Sequence, residues 1–372
     1  MAAGFSLKDQ LFNPQSVGQL AQEYRRALPS FDADSFKARV LAGFKDRELM
    51  ARLDWIADCL EEHLSPDFVT MADQLEAAMP DPLDPALTDD DFGQFIHAVP
   101  GILAVRHGLE HHRVRATEVL YEATKRFSME FYIRPFLNRW PEETLAVLVN
   151  WACDENYHVR RLVSEGTRPK LPWAKSVALT PDQTLPLLDR LHADPTRFVT
   201  RSVANHLNDL SKTKPDLVLH RLAEWQALGR QDAKELAWIQ RHGLRTLIKS
   251  CNAGAMAALG YSADASLHAK LAIENRTVAI GDTLRFNATL KSKTRTPVLV
   301  DYRIIFARPD GRAGQKVFKL KQGVVDAGKP LSLSKSHKIK GDATTFTWYP
   351  GPHRLVVQVN GMDQAAAGFT VI

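Results

Sequence analysis

Residues 154–165, DENYHVRRLVSE, and residues 194–205, DPTRFVTRSVAN, lie 40 positions apart and match in register: Asp154 with Asp194, Val159 with Val199, Arg161 with Arg201. One more step of 40 brings Ile239 and Arg241 onto the same two positions. On a helix, residues four apart share a face. Val159 and Val163 therefore form one stripe, as do Val199 and Val203, with the arginines about 200° away around the axis. The valines are core and the arginines face outward. Each of these helices follows one that opens on proline: Pro141 in RWPEETL, Pro181 in LTPDQTL and Pro215 in TKPDLVL. Proline fits there because the first-turn N–H has no helical partner.

Three helix pairs at this period resemble HEAT-type repeats, which stack into a curved solenoid. Residues 1–264 are accordingly expected to form an all-α, HEAT-like repeat solenoid. Arg47–His63 reads as an amphipathic helix, and the polar stretch from Pro80 to Asp91 as a loop that sets off the N-terminal helices. After Ala263 the apolar period changes to two. Leu284, Phe286, Ala288 and Leu290 alternate with polar residues, as do Val300, Tyr302, Ile304 and Phe306, and Leu355, Val357 and Val359. Turn signals at Ile280-Gly281-Asp282, Pro309-Asp310-Gly311, Tyr349-Pro350-Gly351-Pro352 and Asn360-Gly361 punctuate them. Seven or eight short strands predict an all-β immunoglobulin-like sandwich over 265–372, after a linker at Gly260–Leu267.

A chain of 372 residues with 45% hydrophobic content can bury two cores. No apolar run approaches the roughly 18 residues of a membrane span. The opening MAAGFSLKDQ has neither the basic start nor the apolar stretch of a secretory leader. Cys59, Cys153 and Cys251 are scattered and lack metal-ligand spacing, which suits a reducing compartment. The reading is cytoplasmic. Net charge is +5, unevenly spread: residues 265–372 carry about +10 and residues 1–264 about −5. So basic a tail points to an anionic partner such as a nucleic acid backbone, although a merely solvated surface would carry the same charge.

The repeat register places Arg161 and Glu165 on one face, Arg201, Asn205 and Asp209 on the next, and Arg241, Arg245 and Lys249 on the third. Stacked, the second helices are expected to line the concave wall with a cationic groove holding an acidic spot. Glu165 and Asp209 both stand in a last helical turn, where a carboxylate opposes the helix dipole. Local pairing, Arg161 with Glu165 and Asp209 with Lys212, is the plain alternative. Glu130 lies one repeat earlier beside aromatic residues, where Ser128 could cap its helix, and Trp173 sits in an inter-repeat loop.

At WACDENYHVRRLVSEG (151–166) and FVTRSVANHLNDLSKTKP (198–215) the chain resembles the AlkC/AlkD family of alkylpurine DNA glycosylases. Trp151, Asp154, Asn156, Arg160 and Arg161 carry one motif, Ser211, Lys212, Thr213 and Pro215 a second, and Ser128, Glu130, Ile133, Arg134 and Pro135 a third. The match is nearest the AlkC branch with a C-terminal immunoglobulin-like domain. The resemblance implies excision of cationic alkylated bases, 3-methyladenine and 3-methylcytosine, from double-stranded DNA without base flipping, by a monomer with no cofactor and no metal. It implies Glu130, Glu165 and Asp209 as catalytic acids. The DNA-binding set is Arg161, Trp173, Arg160, His158, Arg201, Asn205, Asn208, Lys212, Arg241, Arg245 and Lys249. Asn205 and His158 stand where the AlkD branch has aromatic residues, which argues against an aromatic cage of that kind.

The chemistry suits these residues. A cationic base leaves readily, so what needs stabilising is the positive charge that develops on the sugar. Other classes are weaker. His107, His111 and His112 are closely spaced, but Gly108 stands where a metalloprotease helix needs glutamate. There is no Walker loop, dinucleotide fingerprint or nucleophile elbow. The alternative from another class is a non-catalytic HEAT-repeat scaffold. In the tail, Lys291, Lys293, Arg295, Lys316, Lys319, Lys321, Lys335, Lys338 and Lys340 are expected to contact the DNA backbone.

Overall fold

The computed structural model describes residues 6–261, 266–308, 312–341 and 346–372. The expected domain boundary at 264/265, with the middle of the Gly260–Leu267 linker, and the turn at Pro309-Asp310-Gly311 lie outside the described residues. Sixteen α-helices precede eight strands among those described. The helices are α1 (Leu7–Leu11), α2 (Pro14–Ala27), α3 (Ala33–Ala42), α4 (Leu49–Glu61), α5 (Phe68–Ala78), α6 (Val99–Gly108), α7 (Arg113–Thr124) and α8 (Glu130–Arg139). They continue with α9 (Pro141–Trp151), α10 (Tyr157–Gly166), α11 (Pro181–Leu191), α12 (Arg197–Ser211), α13 (Pro215–Leu228), α14 (Ala233–Gly243), α15 (Arg245–Lys249) and α16 (Ala253–Ala258). Two compact units result, Met1–Thr213 with Glu224–Gly243, and Lys214–Ala223 with Leu244–Ile372.

In the first unit, α4, α6, α8, α10, α12 and α14 pack one against the next as a single layer. Val159, Val163, Val199, Val203 and Ile239 are fully buried in it, as the register requires. Asp194, which opens the turn before α12, ties two repeats together. Asp194 accepts from Thr196 N at 2.8 Å and takes the Arg160 guanidinium of the preceding repeat at 2.5 and 3.2 Å. One step on, Thr200 Oγ1 donates to Glu235 at 2.5 Å, and Arg197 pairs with the same carboxylate. α10 is thus stapled to the turn before α12, and α12 to the first turn of α14.

The Pro80–Asp91 loop does more than set off the first helices. Thr88 O accepts from Phe198 N at the start of α12 at 3.0 Å. Asp89 pairs with Arg201, Asp90 lies 3.5 Å from the same guanidinium, and Phe92 meets the Phe198 ring edge-on at 5.5 Å. An acidic loop settles well against a helix N-terminus, where unpaired N–H groups make a positive end.

The third repeat departs from expectation. Arg241, Arg245 and Lys249 do not share one continuous helix face, because α14 ends at Gly243 and α15 begins at Arg245. Gly243 is where α14 crosses α12: a Cβ there would stand 3.3 Å from Leu207 Cβ.

The second unit contains the sandwich, with β1 (His268–Ile273), β2 (Thr277–Val278), β3 (Thr283–Lys291), β4 (Thr296–Ala307), β5 (Ala313–Val325), β6 (Leu331–Lys338), β7 (Gly351–Val359) and β8 (Met362–Val371). Sheets of order β1-β3-β6 and β2-β8-β7-β4-β5 face each other. Between them lie the residues that alternation selected, including Leu284, Phe286, Tyr302, Ile304, Phe306 and Leu355, and Ala288, Leu290, Val300, Val357 and Val359. The β7–β8 turn places Asn360 at φ 50° and Gly361 at φ 80° between paired Val359 and Met362, the two-residue turn whose twist suits a hairpin. The unit also takes in α15 and α16; Met256 and Tyr261 pack on Leu299, and Gln322 Nε2 donates to the Tyr261 hydroxyl at 2.6 Å.

Removing one partner of a buried ion pair strands the other. Asp194→Asn, which also weakens the repeat turn, is expected to cost about 3–5 kcal/mol in urea unfolding; a loss under about 1 kcal/mol would mean the staple is dispensable.

Candidate active site

Three successive helices of the layer deliver the three acids. Glu130 opens α8, Glu165 stands one residue from the end of α10, and Asp209 lies in the last turn of α12. Two guanidiniums thread them into one chain of alternating charge. Arg161 pairs with Glu130 and reaches Glu165 at 3.6 Å. Arg168 lies 2.6 Å from Glu165 and 2.8 Å from Asp209. Lys212 ends the chain 2.8 Å from Asp209. Hydroxyls complete the carboxylate shells: Ser128 donates to Glu130, and Ser202 donates to Glu165 at 2.6 Å. Ser128 does not cap α8; its hydroxyl bonds the Glu130 carboxylate, and Arg161 donates to that hydroxyl at 2.7 Å.

The carboxylates and guanidiniums are largely withdrawn from water. Glu165 has 7% of its side chain exposed and Asp209 9%, against 50% for Lys212, so only the lysine end is open. Burial alone would raise the Glu165 carboxyl; Arg161, Arg168 and the Ser202 hydroxyl outweigh it and hold the group below the ordinary glutamate range. Burial works equally against Arg161 and Arg168, and their carboxylate neighbours more than compensate. Both signs are therefore fixed at neutral pH.

The remaining expected residues have separate places. Arg161 also lies over the Phe198 ring at 4.8 Å. Trp173 is 69% exposed and holds φ 62°. Arg160 is taken up by Asp194 and by the carbonyls of Asp154 and Glu155. Arg201 is held by Asp89, apart from the acid chain. Asn205 bonds His242 at 2.9 Å, Asn208 is buried, and His158 is buried against Tyr157 and Phe198. Arg241 and Lys249 are exposed and Arg245 half-buried; Arg241 falls in the first unit, Arg245 and Lys249 in the second. His107 bonds Glu61 at 2.8 Å and the His112 ring packs on Phe68. Among the described residues, no group of three or more His, Cys, Asp or Glu could hold a metal ion, and no helix is long and apolar enough to cross a membrane.

Arg168 and Ser202 escaped the sequence reading. Arg168 follows the end of α10, where periodicity no longer predicts neighbours, although its spacing of three from Glu165 was a usable signal. Ser202 reads as a helix-surface serine until α10 and α12 are in contact. His206 is also buried between them, donating from Nδ1 to Ser164 O at 3.1 Å with Nε2 unpartnered.

Residues 127–270 match the family model described as DNA alkylation repair enzyme, and residues 267–372 match the C-terminal Ig-like domain of YhaZ. The chain is 31% identical to the uncharacterized protein YhaZ of Bacillus subtilis over 97% of its own length and 98% of that protein's. It is similar, at 32% identity and a TM-score of 0.87, to the Pseudomonas fluorescens alkylpurine DNA glycosylase AlkC bound to DNA containing an abasic site analog, covering 99% of this chain and 100% of that one.

The buried histidine gives a pH signature. Burial pushes His206 down to about 4, whereas an unfolded histidine titrates near ~6.5. Above about 6.5 neither state is protonated. As pH falls from there towards 4 the unfolded chain takes up the proton first, so stability is lost across that window. In urea melts between pH 7.5 and 4.5, His206→Asn is expected to flatten the decline by about 2–3 kcal/mol. Parallel declines in both proteins would contradict a neutral native imidazole.

Proposed function

The chain belongs to the AlkC branch of the alkylpurine DNA glycosylase family, and from that premise we propose that it hydrolyses the N-glycosidic bond of cationic alkylated bases in double-stranded DNA. The observation that carries the reading is the joining of Glu130, Glu165 and Asp209, from three helices, in one charge chain. The substrates proposed are 3-methyladenine and 3-methylcytosine, whose positive charge makes them good leaving groups without protonation. The protein acts as a cytoplasmic monomer in base excision repair and needs no cofactor.

The carboxylates steady the oxocarbenium-like sugar and orient the attacking water. One carboxylate about 4 Å from the developing cation, at an effective dielectric near 20, contributes about 4 kcal/mol, or roughly 10³ in rate. Arg161 and Arg168 hold the three acids in position and keep Glu165 ionised, so little reorganisation remains for the reaction itself. Lys212, the half-exposed end of the charge chain, offers its ammonium to a phosphate flanking the lesion. Trp173 offers an exposed indole against the nucleotides. The basic strands of the sandwich, with Arg241, Arg245 and Lys249, supply backbone contacts whose strength falls steeply with salt. Because a stacked base is attacked in place, no deep base pocket is required.

The test is single-turnover release of 3-methyladenine from methylated duplex DNA. Glu165→Gln and Asp209→Asn are each expected to slow release by about 10²–10³, with affinity for duplex carrying an abasic-site analogue changed by less than about threefold. No release above the spontaneous rate by the unaltered protein would reduce it to a DNA-gripping scaffold.

A further inference from the structure

The connection between α10 and α11 carries Arg168 of the charge chain and the exposed Trp173, yet has no helix or strand of its own through residues 167–180. Trp173 also adopts a positive φ of 62°, a region that side chains other than glycine occupy only when their surroundings impose it. Something must fix this loop, and the fixing group is on α8.

Arg134 is fully buried. Its Nη1 donates to Gly166 O at 2.9 Å and to Arg168 O at 2.7 Å, its Nη2 to Pro169 O at 3.3 Å, and its Nε to Lys175 O at 2.5 Å. One guanidinium thus holds the start of the loop, the backbone of Arg168 itself, and the chain two residues past Trp173. One turn further along α8, Asn138 donates to Ser176 O at 3.0 Å and accepts from Ala178 N at 3.3 Å. Glu130, Arg134 and Asn138 stand four residues apart and so share one helix stripe. The helix that supplies the first acid also anchors the loop bearing the indole and the second guanidinium. Burial brings Arg134 down only to about 10, so it stays charged at neutral pH.

We propose that Arg134 is a positioning residue for base excision: by clamping four carbonyls of the 166–175 loop it sets the Arg168 guanidinium between Glu165 and Asp209 and presents Trp173 to the DNA. The proposal rests on the glycosylase reading for its consequence but not for its geometry. Lysine cannot substitute, because an ammonium has three donors at one point whereas these carbonyls are met by three nitrogens of a planar fork.

The experiment compares the unaltered full-length protein with Arg134→Lys, Asn138→Ala, Trp173→Ala and the Arg134→Lys/Trp173→Ala double variant. Two readouts are used. The first is native-state trypsin cleavage after Lys170 and Lys175, both exposed, with no DNA present. The second is single-turnover release of 3-methyladenine. Arg134→Lys is expected to speed cleavage at both lysines at least tenfold, on the order seen when a local structure opens more easily, and to slow excision by about 10²-fold. In that background Trp173→Ala is expected to cost much less than it does alone, because an indole already out of place has little left to lose. A merely stabilising arginine would leave the two effects multiplicative within about twofold. Multiplicative effects, or unchanged tryptic cleavage in Arg134→Lys, overturn the proposal. Should Arg134→Lys fail to fold, Asn138→Ala at an exposed position gives the same comparison with smaller effects. If the unaltered protein releases no base, the glycosylase reading falls alone, and the tryptic rates still decide whether Arg134 holds the loop.

Discussion

Ionised carboxylates cannot be gathered in a poorly solvated place unless cations are gathered with them, and that constraint organises this molecule. Each buried charge left alone would cost several kcal/mol, and Glu165 and Asp209 further oppose the dipoles of the helices they end. Arg161 and Arg168 resolve the conflict because each touches two acids, Glu130 with Glu165 and Glu165 with Asp209. A guanidinium can do this where a lysine cannot, since its donors diverge in a fixed plane. The site is therefore one connected object, and loss of any member is felt by its neighbours.

The repeat is what makes such an object buildable. Adjacent second helices present equivalent positions to one another, so residues distant in sequence become neighbours. The staples that enforce this stacking, Arg160 on Asp194 and Thr200 with Arg197 on Glu235, join α10 to the turn before α12 and α12 to the first turn of α14. Ser202 and His206 of α12 bond the end of α10 between those staples and the acids. Groups that join repeats and groups of the charge chain thus alternate along the same helices. Arg160 and Arg161 are adjacent in sequence, yet one holds repeats together and the other holds carboxylates.

That adjacency shows where sequence reading succeeds and where it stops. Period and alternation were legible because they report burial: the valine stripe of the repeats and the Leu284–Leu290 and Val300–Phe306 runs all lie inside. The family motifs marked the acids, and the structure brings Glu130, Glu165 and Asp209 together. Partner choice was not legible. A helical pattern puts Arg160 and Arg161 about 100° apart but does not say which carboxylate each will meet, or that Arg201 will be taken up by Asp89 of a loop 112 positions away. The third repeat misled for a similar reason, since the step of four continues through Gly243 in the sequence but not in the helix. Arg168 and the carbonyls held by Arg134 belong to irregular chain, which has no period to extrapolate.

Charge placement completes the logic of the proposed activity. Acids that steady a sugar cation also repel the phosphates on either side of it, so a cleft suited to the chemistry is poorly suited to gripping DNA. On the proposed reading the chain separates the two demands. Residues 1–264 are net acidic, about −5, while residues 265–372 carry about +10. Five of those basic residues, Lys316, Lys319, Lys321, Lys335 and Lys338, sit on β5 and β6, each at an edge of its sheet. Lysines on an edge strand also discourage pairing with another chain's edge, so the same side chains protect the sandwich and give it a cationic surface. A repeat domain free to be acidic where chemistry requires it needs just such a basic companion.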